Sequence, residues 1–169
     1  MALTLFVSAV FFILYTYAVY PVILLVLHSV SPRRTVPDGS KDLSVSIVIA
    51  AYNEEAVLRN KIDNLLRLQL DRGRSEILIG SDGSTDGTNE ILRLIDDSAI
   101  RSKCFATRRG KAAILNDLVS ESSGEVIVFS DANTMYDANT VRHLIRHFSD
   151  PRVGAVCGEL IFTSKSKTV

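Results

Sequence analysis

Two kinds of hydrophobic pattern divide the chain. Residues 3–30 are apolar almost without a break, interrupted only by Pro21, His28 and a few small polar side chains, and residues 1–30 contain no Lys, Arg, Asp or Glu. About 20 such residues suffice for a helix to cross the hydrocarbon of a bilayer. This stretch therefore predicts one transmembrane helix, kinked but not broken at Pro21. From residue 45 onward the pattern alternates. Residues 45–51 (VSIVIAA) form a short, β-branched apolar run, which reads as a buried strand. Residues 55–70 carry Leu58, Ile62, Leu65 and Leu66 at helical spacing. Strands are then predicted over 76–80, 100–106, 126–129 and 153–161, with helices over 88–95, 110–120 and 138–148 between them. The last helix places Val141, Leu144, Ile145 and Phe148 at i, i+3, i+4 and i+7. Alternation of this kind implies right-handed βαβ units and an α/β fold, a mostly parallel sheet with helices on both faces.

The polar stretch between the two patterns, SPRRTVPDGSKD over residues 31–42, reads as a linker. The expected organisation is an anchor over 1–30, a linker over 31–42 and one α/β domain over 43–169. A cleaved signal peptide would carry a basic leading region and an apolar run of about 7–15 residues. Here no basic residue precedes Arg33 and the run is far longer, so the helix is expected to be retained. Arg33, Arg34 and Lys41 follow it, and basic flanks stay on the cytoplasmic side, so the domain is expected there as a single-pass membrane protein. Charge adds an exclusion: 19 basic and 19 acidic side chains balance, which gives no reason to expect a nucleic-acid partner. Cys104 and Cys157 lack zinc-site spacing and are expected to be small buried apolar residues.

Ligands on parallel sheets bind beyond the carboxyl ends of the strands. Three predicted strand ends are polar: Tyr52-Asn53-Glu54-Glu55, Ser81-Asp82-Gly83-Ser84 and Ser130-Asp131-Ala132-Asn133. Asp131 and Asn133 offer oxygen ligands to a hard divalent cation such as Mg²⁺ or Mn²⁺, or else form an Asx-turn that ends the strand. Asp82 can accept hydrogen bonds from a base or ribose and Gly83 permits close approach of a ligand, or the segment is a plain strand-to-helix turn. Tyr52 can stack on a planar base, while Glu54 and Glu55 can equally complement a helix N-terminus. Arg108, Arg109 and Lys111 open a predicted helix and suit a diphosphate, or make a solvated basic turn. His143 and His147, at i and i+4, read as a solvated helix face.

At this point the sequence resembles the family 2 glycosyltransferases. The segments SIVIAAYNEE (46–55), GSDGSTDGT (80–88), RRGKAAILN (108–116), VIVFSDANT (126–134) and DPRVGAVCG (150–158) carry the resemblance, in the family's order and across nearly all of residues 45–158. It implies a GT-A fold and a nucleotide-sugar donor, commonly a UDP-sugar. It places Tyr52, Asn53 and Glu54 in the nucleobase-binding segment, Asp82 at the base or ribose, Lys111 near the donor, and Asp131 with Asn133 in the metal and diphosphate motif. The implied reaction is inverting transfer to a polysaccharide or lipid-linked acceptor. Two departures stand out: Ser81 where many relatives carry Asp, and Asn133 in place of the second Asp of D-x-D. No later acidic motif or Q-x-x-R-W follows Asn133, so a C-terminal half or partner subunit is expected to supply the catalytic base. Two other readings remain: a non-catalytic nucleotide-binding membrane subunit, and a nucleotidyltransferase. The latter needs a basic, glycine-rich loop after the first strand, where this chain is acidic.

Overall fold

A computed structural model describes residues 1–30 and 43–161. The linker expected over 31–42 lies outside the described residues, as does 162–169. The chain forms two compact units, Met1–Thr35 and Val36–Val169.

The first unit is helical from Ala2 to Val30. Helix α1 (Ala2–Leu14) and helix α2 (Tyr20–Val30) are joined by one π-helical turn, Tyr15–Val19. The N–H of Tyr20 reaches back to the carbonyl of Tyr15. Pro21 follows at once. A proline brings no N–H, and its ring crowds the carbonyl four residues earlier; the wide turn immediately before it marks the disturbance expected from the sequence. Together the 29 residues Ala2–Val30 make one helix long and apolar enough to cross a membrane, by length and composition.

The second unit is a four-stranded, wholly parallel sheet in the order β3-β2-β1-β4. Strand β1 is Val45–Ala51, β2 Ser75–Asp82, β3 Ile100–Phe105 and β4 Val126–Ser130. Helix α3 (Glu55–Leu66) follows β1, α4 (Thr88–Arg93) follows β2, α5 (Lys111–Ser120) follows β3 and α6 (Thr140–Ile145) follows β4. Successive side chains of a strand point to opposite faces, and the two cores show it. Ile47, Ile49, Ile77 and Ile79 pack with Leu58, Ile62 and Leu65 of α3, Ile91 and Leu92 of α4, and Val141 of α6. Val48 and Leu78 pack on the other face with Ile114 and Leu118 of α5. Gly80 lets α5 sit close: a Cβ there would lie 2.4 Å from a methyl of Ile114. Helices therefore cover both faces, as the alternating pattern predicts.

Four expectations are corrected. The helix predicted over 55–70 ends at Leu66, because the chain turns away and the N–H of Gln69 bonds the carbonyl of Ala138 at 2.9 Å. The helix predicted over 138–148 is α-helical only over Thr140–Ile145 and tightens to a 3₁₀ turn over Arg146–Ser149. Residues 153–161 form no strand: they have the composition of one but pair with no described strand, and Leu160 and Ile161 are exposed. The cysteines are also exposed rather than buried. Cys104 lies on β3, an edge strand whose middle residues Arg101–Cys104 are open to solvent; Cys157 lies in the unpaired segment. Arg101 and Lys103 on that edge pair with Glu76 and Glu121, and such charges discourage pairing with another chain.

Candidate functional site

The parallel arrangement brings the carboxyl ends of β1, β2 and β4 to one edge. A cleft of about 250 Å³ opens there, lined by Tyr52, Glu54, Asp82, Arg108, Lys111, Asp131 and Asn133 with three alanines. Six of the residues singled out in the sequence thus meet with Asn133 around one space. Asn53 and Gly83 are not in its lining; they hold its walls.

The walls are made by hydrogen bonds between the turn after β1 and the turn after β2. Asn53 sits at φ 55°, a left-handed conformation that asparagine tolerates better than most residues. Its side-chain oxygen accepts from the N–H of Thr85 at 2.9 Å, and its own N–H donates to Ser84 Oγ at 3.1 Å. The N–H of Glu54 donates to Thr88 Oγ1, and that of Glu55 to Asp86. In return Glu55 Oε2 accepts from the N–H of Gly87 at 2.9 Å. Each turn thus holds the other through polar groups at the protein surface, with Thr88 the buried member. Asp86 is held below the usual carboxylate range: burial would raise it, but hydrogen bonds from Thr88 and Glu55 outweigh that.

Asp82 closes the floor. It is buried, and its two oxygens accept from the N–H groups of Arg109 at 2.6 Å and Gly110 at 2.9 Å. The carboxylate thereby fixes the loop that carries Arg108 and Lys111. Gly83, at φ 65°, lets that loop come near: a Cβ would lie 2.6 Å from the backbone nitrogen of Arg108. Arg108 stands over the ring of Tyr52, 4.1 Å from its centroid. The pair forms a flat, cation-capped wall of the kind on which a planar base can lie. Arg109 turns away to Asp117, which holds its guanidinium firmly protonated.

The opposite wall is the Asp131-Ala132-Asn133 turn after β4. Asp131 is exposed and ion-paired with Lys111. Asn133 is exposed beside it. No group of three or more His, Cys, Asp or Glu side chains able to hold a metal occurs among the described residues. One carboxylate and one amide cannot enclose a hard cation, but Mg²⁺-type ions are commonly held by one or two carboxylates together with substrate phosphates. The donor set fits a cation that arrives with a diphosphate.

One residue of this region escapes sequence reading. Lys61 of α3 is wholly buried. Its ammonium donates to Ser130 Oγ at 2.8 Å and to the carbonyl of Thr134, and lies 4.2 Å from the centre of the Tyr136 ring. Burial pulls its pKa down to about 8, against the charge of Asp131, which raises it. The available signal was a lysine one position before Ile62, at i+3 from Leu58 and so on the helix's inward side.

Known proteins resemble this chain in sequence and in fold. Probable glycosyltransferase YdaM of Bacillus subtilis (strain 168) is 30% identical over 152 residues, 84% of this chain and 36% of the relative. Poly-beta-1,6-N-acetyl-D-glucosamine synthase of Staphylococcus aureus (strain COL) is 30% identical over 124 residues, 72% of this chain and 30% of the relative. The chain thus spans about a third of the length of these curated relatives. Among solved structures, mannosyltransferase PcManGT from Pyrobaculum calidifontis in complex with GDP-Man and Mn²⁺ superposes with a TM-score of 0.72 at 28% identity, covering 84% of this chain and 44% of that one. S. aureus TarS 1–349 in complex with UDP-GlcNAc shares the fold, with a TM-score of 0.54 at 20% identity over 60% of this chain and 30% of that one. Residues 46–168 match the profile of Glycosyl transferase family 2. The chain belongs to glycosyl transferase family 2, with the GT-A architecture of its structural neighbours.

Proposed function

We propose that this chain captures the nucleotide-sugar donor of a membrane-anchored glycosyltransferase, one that transfers the sugar with inversion to a polysaccharide or lipid-linked acceptor. The observation that carries this reading is one cleft in which the Tyr52–Arg108 wall, the basic loop with Lys111 and the exposed Asp131 carboxylate face one another. A UDP-sugar fits: the base against Tyr52 and Arg108, the ribose toward Glu54 and the Asp82 floor, and the diphosphate between Lys111 and Asp131. Support for a nucleotide-sugar and a divalent ion comes from the related structure with GDP-Man and Mn²⁺. A polysaccharide acceptor is suggested by the staphylococcal synthase, and anchoring by the apolar helix.

In this reading the Lys111–Asp131 ion pair is the resting arrangement. An arriving diphosphate offers Lys111 a better-charged partner and leaves Asp131, with Asn133, to face a divalent cation. When bound, that cation supplies Lewis-acid stabilisation of the leaving diphosphate. Lys111 adds fixed positive charge where negative charge develops. The general base on the acceptor side is assigned to no described residue. Placement of the domain on the cytoplasmic side rests on Arg33, Arg34 and Lys41 beyond the helix.

The test is calorimetric titration of the chain with UDP, and separately GDP, with and without Mn²⁺. UDP is expected to bind more tightly with Mn²⁺, and Asp131→Ala is expected to lose that increment, at least tenfold in Kd, while keeping weak metal-free binding. Metal-independent binding unaffected by Asp131→Ala would favour a nucleotide-binding subunit without transfer chemistry. No binding by a folded chain would sink the donor reading.

A further inference from the structure

The Asp131–Asn133 turn is held from beneath, by a helix that belongs to the other wall of the cleft. Helix α3 starts at the turn after β1 and runs under the end of β4, where two of its side chains, one turn apart, grip the segment 130–136. Asn64 takes the backbone of Tyr136 at both ends: its amide donates to the Tyr136 carbonyl at 2.8 Å, and its oxygen accepts from the Tyr136 N–H at 2.8 Å. Lys61 takes the turn itself. Its ammonium donates to Ser130 on the near side of Asp131 and to the Thr134 carbonyl on the far side. The Ser130 hydroxyl in turn points its proton to the Asp131 carbonyl at 3.3 Å, and the N–H of Thr134 closes back on the same oxygen at 3.3 Å.

A fully buried ammonium is costly unless its protons are all engaged. An apolar side chain of similar length would fill the volume without that cost, and α3 already has core contacts through Leu58, Ile62 and Leu65. What the lysine adds is direction. It bonds residues on both sides of the three-residue turn and lies on the side away from the cleft, leaving Asp131 and Asn133 exposed toward it.

We propose that Lys61 is a positioning residue for the donor-diphosphate turn, acting through Ser130 and Thr134 to keep Asp131 and Asn133 aimed at a shared cation. This rests on the donor-binding reading above. It also ties the two walls together, since α3 carries the nucleobase turn at its start and the diphosphate turn at its middle.

The experiment titrates the chain in detergent micelles with UDP and with UDP plus Mn²⁺, for wild type, Lys61→Met, Ser130→Ala and Ile62→Val. Lys61→Met is expected to bind UDP alone within about twofold of wild type but to lose at least tenfold of the Mn²⁺-dependent increment. Ser130→Ala removes one of the two acceptors, and about threefold of the increment is expected to go with it. Ile62→Val loosens the same helix without touching the turn and is expected to keep the whole increment, which separates positioning from general destabilisation. A folded Lys61→Met variant, by circular dichroism and cooperative melting, that retains the full increment overturns the proposal. If that variant does not fold, Ser130→Ala decides, and an unchanged increment there overturns it equally. Wild type without any Mn²⁺-dependent UDP binding is a different result: it removes the donor reading and the Lys61 proposal with it.

Discussion

Gly83 and Gly110 bracket the basic loop, and both have backbone angles that L-residues avoid, φ 65° and 94°. They differ in surroundings. A Cβ at Gly83 would press on backbone atoms of Thr107 and Arg108 at 2.6–2.7 Å, whereas one at Gly110 would meet nothing within 4 Å. Gly83→Ala is therefore expected to combine conformational strain with a steric clash, roughly 2–4 kcal/mol in urea unfolding. Gly110→Ala carries only the strain, about 1–2 kcal/mol. Equal losses at the two positions would contradict this account. The displaced loop also carries Arg108 and Lys111, so Gly83→Ala is expected to weaken nucleotide binding as well. At residue scale the sequence shows which polar side chains stand at strand ends, but not what each one contacts. Asp82 was visible as an acid at a strand end; that its two oxygens are spent on the N–H groups of Arg109 and Gly110 depends on a loop 27 residues away.

Helix α3 shows what an element decides. Its apolar spacing was legible from Leu58, Ile62 and Leu65, but the burial of Lys61 required knowing that β4 lies beside β1 and brings Ser130 and Thr134 over the helix. That burial has a pH signature. The folded pKa, about 8, lies below the ordinary 10.5. Below pH 8 both states hold the proton, and the burial penalty is in full force. Between about 8 and 10.5 the folded state releases the proton first, the unfolded state binds more protons, and stability rises with pH. The gain is at most roughly 3 kcal/mol. Urea unfolding of wild type and Lys61→Met at pH 7.5 and 10 is expected to show wild type gaining on the variant at the higher pH. A constant difference would mean that Lys61 is not desolvated as described. At the sheet's other end Glu76 is also lowered, but for a different reason: burial would raise it, and hydrogen bonds from Ser46 and Ser123, with Arg101 beside it, hold it below its usual value.

At the scale of the whole molecule, one chain joins an apolar helix of 29 residues to a parallel α/β unit. The hydrophobic term for a helix of this length, without a charged residue, favours bilayer insertion. The expressed chain is expected to sediment with membranes and to resist extraction by alkaline carbonate, while residues 31–169 alone should not resist it. Release of the intact chain by carbonate would remove the anchor from the proposed function. The strand expected over 153–161 shows the limit at this scale. Strand composition was present, but a strand exists only where another strand offers its N–H and C=O groups, and no described strand does so there.

Local and periodic features are legible in the amino-acid order: an apolar run long enough to span a bilayer, four strands and their intervening helices, and polar turns at three strand ends. These follow from side-chain spacing, which is written along the chain. The tertiary structure alone decided the strand order β3-β2-β1-β4, and with it which turns face one another. It set Arg108 on Tyr52, Lys111 on Asp131 and Lys61 beneath the Asp131–Asn133 turn. Those pairings join residues from 20 to 73 positions apart, and no local periodicity encodes contacts at that separation; only the packed sheet brings them within reach.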